Sequence, residues 1–235
     1  MNKKYFCIGL HKTGTSTLHQ IALNNGLKST HSIDWQNNEK KIKLYDFFCD
    51  GGSHYNNINE IDYEYLYSKY PNSIFIINIR EIRSWIISKL KHIGWHEKTI
   101  VTLDNKLKVH NKWHEKTIVT LDNKLKVHNK WQEKTKINIS SFICHYFDRY
   151  IKMLEYFLNK QDRGYIVDIV SGKIENLRLL FKNEISSQNV HKNKGNKNNL
   201  SNEIIEFIDN EINIVNKNKY EKLVLLLERY NFYRT

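Results

Sequence analysis

The sequence predicts an α/β protein in which a parallel sheet of four or five strands is flanked by helices. Short apolar runs alternate with helical patterns over the first 90 residues, and a further apolar run stands at 164–170. Such alternation is typical of βαβ units and a parallel sheet. A chain of 235 residues that is 40% hydrophobic is long enough to bury the core of such a fold.

The predicted elements follow one another in a simple order. The predicted strands are the runs KYFCIGL, LKSTHSI, LYDFFCD, SIFIINI and GYIVDIV. The first predicted helix runs through Leu27, and the later ones cover Ile61 to Tyr70, Ser141 to Asn159 and about Lys173 to Lys182. Two amphipathic helices, within 201–235, are predicted to close the chain. We treat 1–235 as a single domain.

Residues 96–131 are an insertion made of two identical 18-residue copies of HEKTIVTLDNKLKVHNKW. A continuous helix would place successive copies five turns apart, with Trp95, Trp113 and Trp131 on one face. A hairpin in each copy, turning at Asp-Asn, is the alternative, because the β-branched residues favour strands. Two copies are too few for a solenoid.

The overall charge favours an anionic partner. The formal net charge is +12, but the basic residues are spread along the chain, which gives nucleic acid no added support. The three cysteines, Cys7, Cys49 and Cys144, have no zinc-site spacing, and four of the eleven histidines come from the repeat, so no metal is expected. No apolar run is long enough for a membrane span, and we expect a cytoplasmic protein of unknown oligomeric state.

The strongest local motif is IGLHKTGTSTL at 8–18, where a predicted strand ends and a predicted helix begins. Free backbone N–H groups and the positive end of a helix dipole meet at such a junction, and Gly14 lets the backbone approach a phosphate. Gly9 and Gly14 have the spacing of the Walker loop, GxxxxGK[ST], but Thr15 stands where that motif has lysine, and the lysine is Lys12. The motif therefore predicts a phosphate site that differs from that of an NTPase.

The segment GLHKTGTSTLHQIALNNGLKSTH resembles the opening strand, 5'-phosphosulfate loop and helix of sulfotransferases, enzymes that use 3'-phosphoadenylyl sulfate (PAPS). The segment YPNSIFIINIREIRSWIISKL resembles their 3'-phosphate element, with Arg80 closing a strand and Ser88 eight residues later. VHKNKG at 190–195 resembles more weakly the basic closing loop of compact members, which adds Lys194 and Gly195 to the 3'-phosphate site. The resemblance covers the first 90 residues well and 140–195 loosely.

The resemblance implies a P-loop NTPase-like sulfotransferase fold and a two-ended hold on PAPS. Lys12 would bind the bridging oxygen and stabilise the leaving adenosine 3',5'-bisphosphate. The backbone amides of 13–17 would bind the 5'-phosphate, with help from hydroxyls. The residues implied in cofactor binding are Lys12, Thr13, Gly14, Thr15, Ser16, Thr17, Arg80, Ser88, Lys194 and Gly195.

No residue matches a catalytic histidine of that family. Asp50, which follows the apolar run LYDFFC, is our candidate for the catalytic base, and His54 and His11 are the next candidates. The alternative for Asp50, and the more frequent role of such a residue, is a turn residue, because Asp-Gly-Gly favours turns. The acceptor hydroxyl or amine is not predicted. A P-loop nucleotide or small-molecule kinase, and a non-catalytic sulfotransferase-like protein that binds polyanions, remain the alternative functions.

Overall fold

The computed structural model describes residues 3–36, 38–51, 61–92, 136, 139–160, 162–181, 200 and 202–230. The repeat at 96–131 and residues Lys194, Gly195 and His54 lie outside these ranges. By their contacts the residues fall into two compact units. The first unit comprises 1–81, 148–194 and 221–235, and the second comprises 82–147 and 195–220. The assignment of the whole chain to one domain stays a prediction.

The first unit is built on a parallel sheet of five strands in the order β2-β3-β1-β4-β5. The predicted α/β class and the predicted parallel sheet are thereby confirmed. The strands are β1 (Tyr5–Cys7), β2 (Ser29–His31), β3 (Phe47–Cys49), β4 (Ile74–Asn78) and β5 (Gly164–Val167).

The helices lie between and after the strands. They are α1 (Thr15–Asn24), α2 (Glu39–Leu44), α3 (Tyr63–Lys69), α4 (Ile82–His92), α5 (139–157), α6 (Glu175–Leu180), α7 (Asn202–Asn210) and α8 (Lys217–Arg229). Helix α2 was not predicted, since six residues are too few for an amphipathic period to be recognised. Its start is fixed by Asn38, whose side chain accepts a hydrogen bond of 3.1 Å from the backbone N–H of Lys41.

Both faces of the sheet are buried, as the continuous apolar runs require. On one face the alternate strand residues Cys7, Phe47 and Ile76 share a buried cluster with residues of α1 and α6. On the other face Phe6 and Phe48 pack ring against ring with centroids 5.0 Å apart, and Phe75 lies 5.2 Å from the ring of Phe157 on α5. The period of two along the strands therefore decides which residues meet which helices.

Arg163, in the turn before β5, joins the end of α3 to the start of β4. Its Nη2 donates to the carbonyls of Tyr67 and Tyr70, at 3.1 and 2.7 Å, and its Nε donates to Ser73 at 3.0 Å. The guanidinium also stacks 3.6 Å from the ring centre of Tyr67. One side chain thus binds three backbone acceptors, one of which is the carbonyl of Tyr67 in the last turn of α3.

We expect Arg163→Ala to lower the free energy of unfolding by about 3 kcal/mol, because three acceptors lose a charged donor and the aromatic stacking is lost. Arg163→Lys should recover only a small part, because an ammonium lacks the planar fork. Urea unfolding measures both. Arg178→Ala, at an exposed position of α6, is the control and should change stability by less than about 0.5 kcal/mol. Equal losses at the two arginines would contradict this role.

The second unit contains α4, residues 139–147 of α5 and the chain from Gly195 to Tyr220. Trp85 of α4 packs on Tyr146 with ring centroids 5.1 Å apart, and Arg83 pairs with Asp209 at 2.7 Å. A π-helical segment, Glu211–Val215, follows α7 directly. It ends at Asn216, whose backbone and side-chain N–H groups both donate to the carbonyl of Glu211.

Candidate phosphate-binding site

The loop between β1 and α1 has a backbone shape suited to an anion. Lys12 and Gly14 both have positive φ, at 65° and 93°. Such left-handed residues turn neighbouring N–H groups toward one point, and α1 adds the free N–H groups of its first turn. A Cβ at Gly14 would lie 2.7 Å from the Cβ of Ile169, so position 14 admits no side chain without movement. The glycine that the motif singled out is thus required twice, by its φ and by its neighbour.

A buried polar network holds this loop on β4. Asn78, the last residue of β4, is fully buried; its Oδ1 accepts from the N–H of Gly9 at 3.0 Å and its Nδ2 donates to the hydroxyl of Thr13 at 2.6 Å. The Thr13 hydroxyl in turn donates to the carbonyl of Leu10. The Tyr150 hydroxyl donates to the carbonyl of Asn78 at 2.7 Å and accepts from the N–H of Leu10 at 3.1 Å. The Thr13 side chain therefore serves the loop itself, and only its backbone amide remains for a ligand.

We expect Asn78→Ala to lower the free energy of unfolding by about 3 kcal/mol, because two buried partners lose their hydrogen bonds together. Asn176→Ala is the matched control. The Asn176 side chain is half-buried and donates to the carbonyl of Ile166 at 2.7 Å, so its loss should cost about 1 kcal/mol. Denaturant unfolding of the two variants provides the comparison, and equal costs would show that the network does not hold the loop.

Two cations lie side by side at the site. The Nη1 of Arg80, two residues beyond β4, donates to the carbonyl of Lys12 at 3.2 Å. Burial lowers the pKa of Lys12; the charge of Asp50 opposes this shift and that of Arg80 adds to it. Burial likewise lowers the pKa of Arg80, against the charges of Asp168 and Glu81. Both side chains are partly desolvated and repel each other, so an anion bound beside them would stabilise their charged forms.

The first residues of α1 contact the ends of β2 and β3. The Nε2 of His31, the last residue of β2, lies 3.1 Å from Thr15 Oγ1 and 3.3 Å from Ser16 Oγ. Thr15 Oγ1 also donates to Asp50 Oδ1 at 3.4 Å. Asp50 follows β3 with a φ of 60°, a left-handed backbone that is uncommon outside glycine and often found at functional positions. Ser16 is exposed and Thr15 is buried.

These residues gather at the carboxyl edge of the sheet. The connection that leaves β1 leads to β2 on one side, whereas the one that leaves its neighbour β4 leads to β5 on the other side. Neighbouring strands whose connections diverge in this way open a crevice at their carboxyl ends, which is where ligands bind in α/β sheets. The loop after β1 and Arg80 after β4 both stand at that crevice.

The predicted site residues have different outcomes. The structure brings Lys12, Thr15, Ser16, Arg80 and Asp50 together at this edge, with Gly14 forming the turn. Thr17, in the first turn of α1, is buried. Ser88 lies half-buried on α4 in the second unit, so its partnership with Arg80 stays a prediction, as do the roles of Lys194, Gly195 and His54. His11 is half-buried within the loop.

Four residues of the site were not predicted: Asn78, Tyr150, His31 and Asp168. Asn78 and His31 each end a strand of the sheet, and a polar residue at that point is a usable sequence indication. Asp168, just after β5, forms a turn by accepting from the N–H groups of Val170 and Ser171. Nothing in the sequence around Tyr150 distinguishes it from the other tyrosines.

Comparisons with models of protein families, with curated proteins and with solved structures found no match for this chain. Among the described residues, no helix is long and apolar enough to cross a membrane. Over the same part of the chain, no group of three or more His, Cys, Asp or Glu side chains is arranged to hold a metal ion. The evidence for function is therefore the motif and the geometry around it.

Proposed function

We propose that this protein is a sulfotransferase that moves a sulfuryl group from PAPS to a hydroxyl or amine acceptor. The observation that carries the proposal is the turn at residues 12–14, where Lys12 and Gly14 have positive φ and Arg80 contacts the Lys12 carbonyl. The KTGTS motif that resembles the 5'-phosphosulfate loop forms this turn. Arg80, two residues beyond the neighbouring strand β4, lies beside this turn, which supports a role for Arg80 in binding the same nucleotide.

Lys12 has the central role in this proposal. In sulfuryl transfer the sulfur–oxygen bond to the phosphate breaks while a bond from sulfur to the acceptor oxygen or nitrogen forms, and negative charge grows on the departing phosphate. An ammonium beside that oxygen stabilises the charge, and the amides at the start of α1 bind the rest of the phosphate. Asp50 is the candidate to receive the acceptor's proton, since it is a carboxylate at the same edge.

A kinase is the second candidate, and one observation favours it. P-loop kinases and ATPases hold Mg²⁺ between a loop hydroxyl and an aspartate, and here Thr15 Oγ1 lies 3.4 Å from Asp50 Oδ1. Against it, Thr15 stands in the place of the lysine that reaches the terminal phosphates. The position of the lysine at residue 12 and the contact of Arg80 with its carbonyl together favour the sulfotransferase.

The proposal is tested by incubating the protein with PAPS and a panel of alcohols, phenols, sugars and amines. Adenosine 3',5'-bisphosphate is then measured by ion-exchange chromatography. We expect at least one acceptor class to raise its release, and Lys12→Ala to abolish the increase. Lys28 is an exposed lysine outside the loop. Lys28→Ala removes the same charge as Lys12→Ala and should leave the increase in bisphosphate release unchanged. Product formation from ATP-Mg²⁺ with the same acceptors, and none from PAPS, would establish the kinase instead.

A further inference from the structure

His31 occupies a position at the proposed phosphate site that no predicted role explains. It ends β2, is half-buried, and directs one ring nitrogen at two hydroxyls of α1. Those hydroxyls belong to Thr15 and Ser16, which begin the helix whose N–H groups face the loop. The imidazole would therefore contact an anion bound at this helix end indirectly, through a hydroxyl group.

The hydrogen bonds around Thr15 fix where the protons lie. An ionised carboxylate can only accept, so the single hydroxyl proton of Thr15 goes to Asp50, 3.4 Å away. The Thr15 oxygen must then accept from His31, which places a proton on Nε2. Ser16 Oγ, 3.3 Å from Nε2, accepts from the same N–H and keeps its own proton for another partner. Because Ser16 is exposed, that partner can be a bound anion.

We propose that His31 takes up a proton when the 5'-phosphate binds, so that the contribution of His31 to nucleotide binding grows as the pH falls toward 6. This inference rests on the proposed function. A negative group that accepts from Ser16 lies close to the imidazole and favours its charged form over the neutral one. Histidine is the side chain that ordinarily changes charge near neutrality, so this coupling acts at physiological pH.

Among the described residues, three other titratable groups lie near His31: His19 on α1, Cys49 on β3 and Asp50 after β3. From α1, the His19 ring lies with its centroid 5.7 Å away and its Nδ1 is 2.7 Å from Ser29 Oγ; burial and His31 both lower the pKa of His19. From β3, Cys49 pairs in register with His31, and burial raises the pKa of its thiol. Both shifts favour the neutral forms of these groups. Asp50 is the third group, joined to His31 through the hydroxyl of Thr15.

The test is calorimetric titration at pH 7.5 with adenosine 3',5'-bisphosphate in two buffers of different ionisation heat. The phosphates of this ligand are almost fully ionised there, since their second pKa is about 6. We expect binding to take up a fraction of a proton. His31→Gln should abolish the uptake and weaken binding about 10-fold at pH 6.5 but hardly at all at pH 8.5. His19→Gln, at the neighbouring histidine, should keep the proton uptake and the affinity at pH 6.5. Thermal unfolding checks that each variant is folded.

Unchanged proton uptake in His31→Gln, or binding by the intact protein without uptake, would overturn the inference. Inorganic sulfate, which does not titrate near neutrality, is the second probe. If the bisphosphate does not bind but sulfate binds with uptake that needs His31, the inference stands and the proposed function fails. If neither anion is bound with such uptake, the inference fails as well.

Discussion

Replacing Gly9 by alanine is expected to lower the free energy of unfolding by about 4 kcal/mol, a large fraction of the 5–15 kcal/mol that domains ordinarily have. A Cβ at this position would lie 1.9 Å from the carbonyl oxygen of Asn78 and 2.9 Å from its carbonyl carbon. Both atoms belong to the backbone of β4, so no side-chain rotation relieves the clash. The loop must leave the strand, and the hydrogen bond from Gly9 N–H to Asn78 is lost with it.

Gly26→Ala is the matched control for this prediction. Gly26 has a φ of 77°, and a Cβ there would meet nothing within 4 Å, so alanine costs only the left-handed backbone, about 1–2 kcal/mol. Denaturant unfolding followed by circular dichroism compares the two variants. A Gly9 variant as stable as the Gly26 variant would mean that the loop does not pack on Asn78 as described.

The second large effect is expected at Lys12. Lys12→Ala should weaken the binding of adenosine 3',5'-bisphosphate about 10- to 150-fold, since a charged hydrogen bond to phosphate is worth about 1.5–3 kcal/mol. Arg178→Ala, which removes one exposed positive charge elsewhere, should weaken it less than about twofold. Calorimetric titration measures both. Equal weakening by the two substitutions would mean that Lys12 contributes only to the overall positive charge and not to a specific phosphate contact.

The pKa of Lys12 adds a pH dependence to the same measurement. Burial lowers this pKa below the ordinary lysine value of 10.5, and only the charged form attracts phosphate. As the pH rises through the lowered pKa, the free protein loses the charge and affinity falls. Lys12→Arg keeps a charge that does not titrate in this range, so its affinity should stay level where that of the unaltered protein declines. Parallel declines in both proteins would assign the titration to another group.

The sequence was sufficient to predict the features that local pattern controls. Buried parallel strands appear as continuous apolar runs, and a strand followed by KTGTS is a compact local motif, so the sheet and the loop of residues 8–17 were both predictable. The six-residue helix α2 was not predictable, because fewer than two helical turns are too short to show an amphipathic pattern.

The support of the loop could not be read from the sequence because it depends on distant contacts. Leu10 and Tyr150 are 140 residues apart, and Asn78 and Thr13 are 65 apart. Which residue of α5 meets the loop depends on the register of that helix on the sheet, and no local rule sets it. His31 became visible only when β2 and β3 brought it beside α1 and Asp50. Such residues are found from the fold and then explained by the sequence.

The central claim, a site for a nucleotide phosphorylated at both ends, is tested most directly by calorimetric titration of the intact protein with adenosine 3',5'-bisphosphate, adenosine 5'-monophosphate and ATP-Mg²⁺. Our account predicts that the bisphosphate binds most tightly. The monophosphate should bind at least about 10-fold more weakly, because it lacks the phosphate assigned to Arg80. Tighter binding of ATP-Mg²⁺ than of the bisphosphate, or no binding of the bisphosphate, would contradict it.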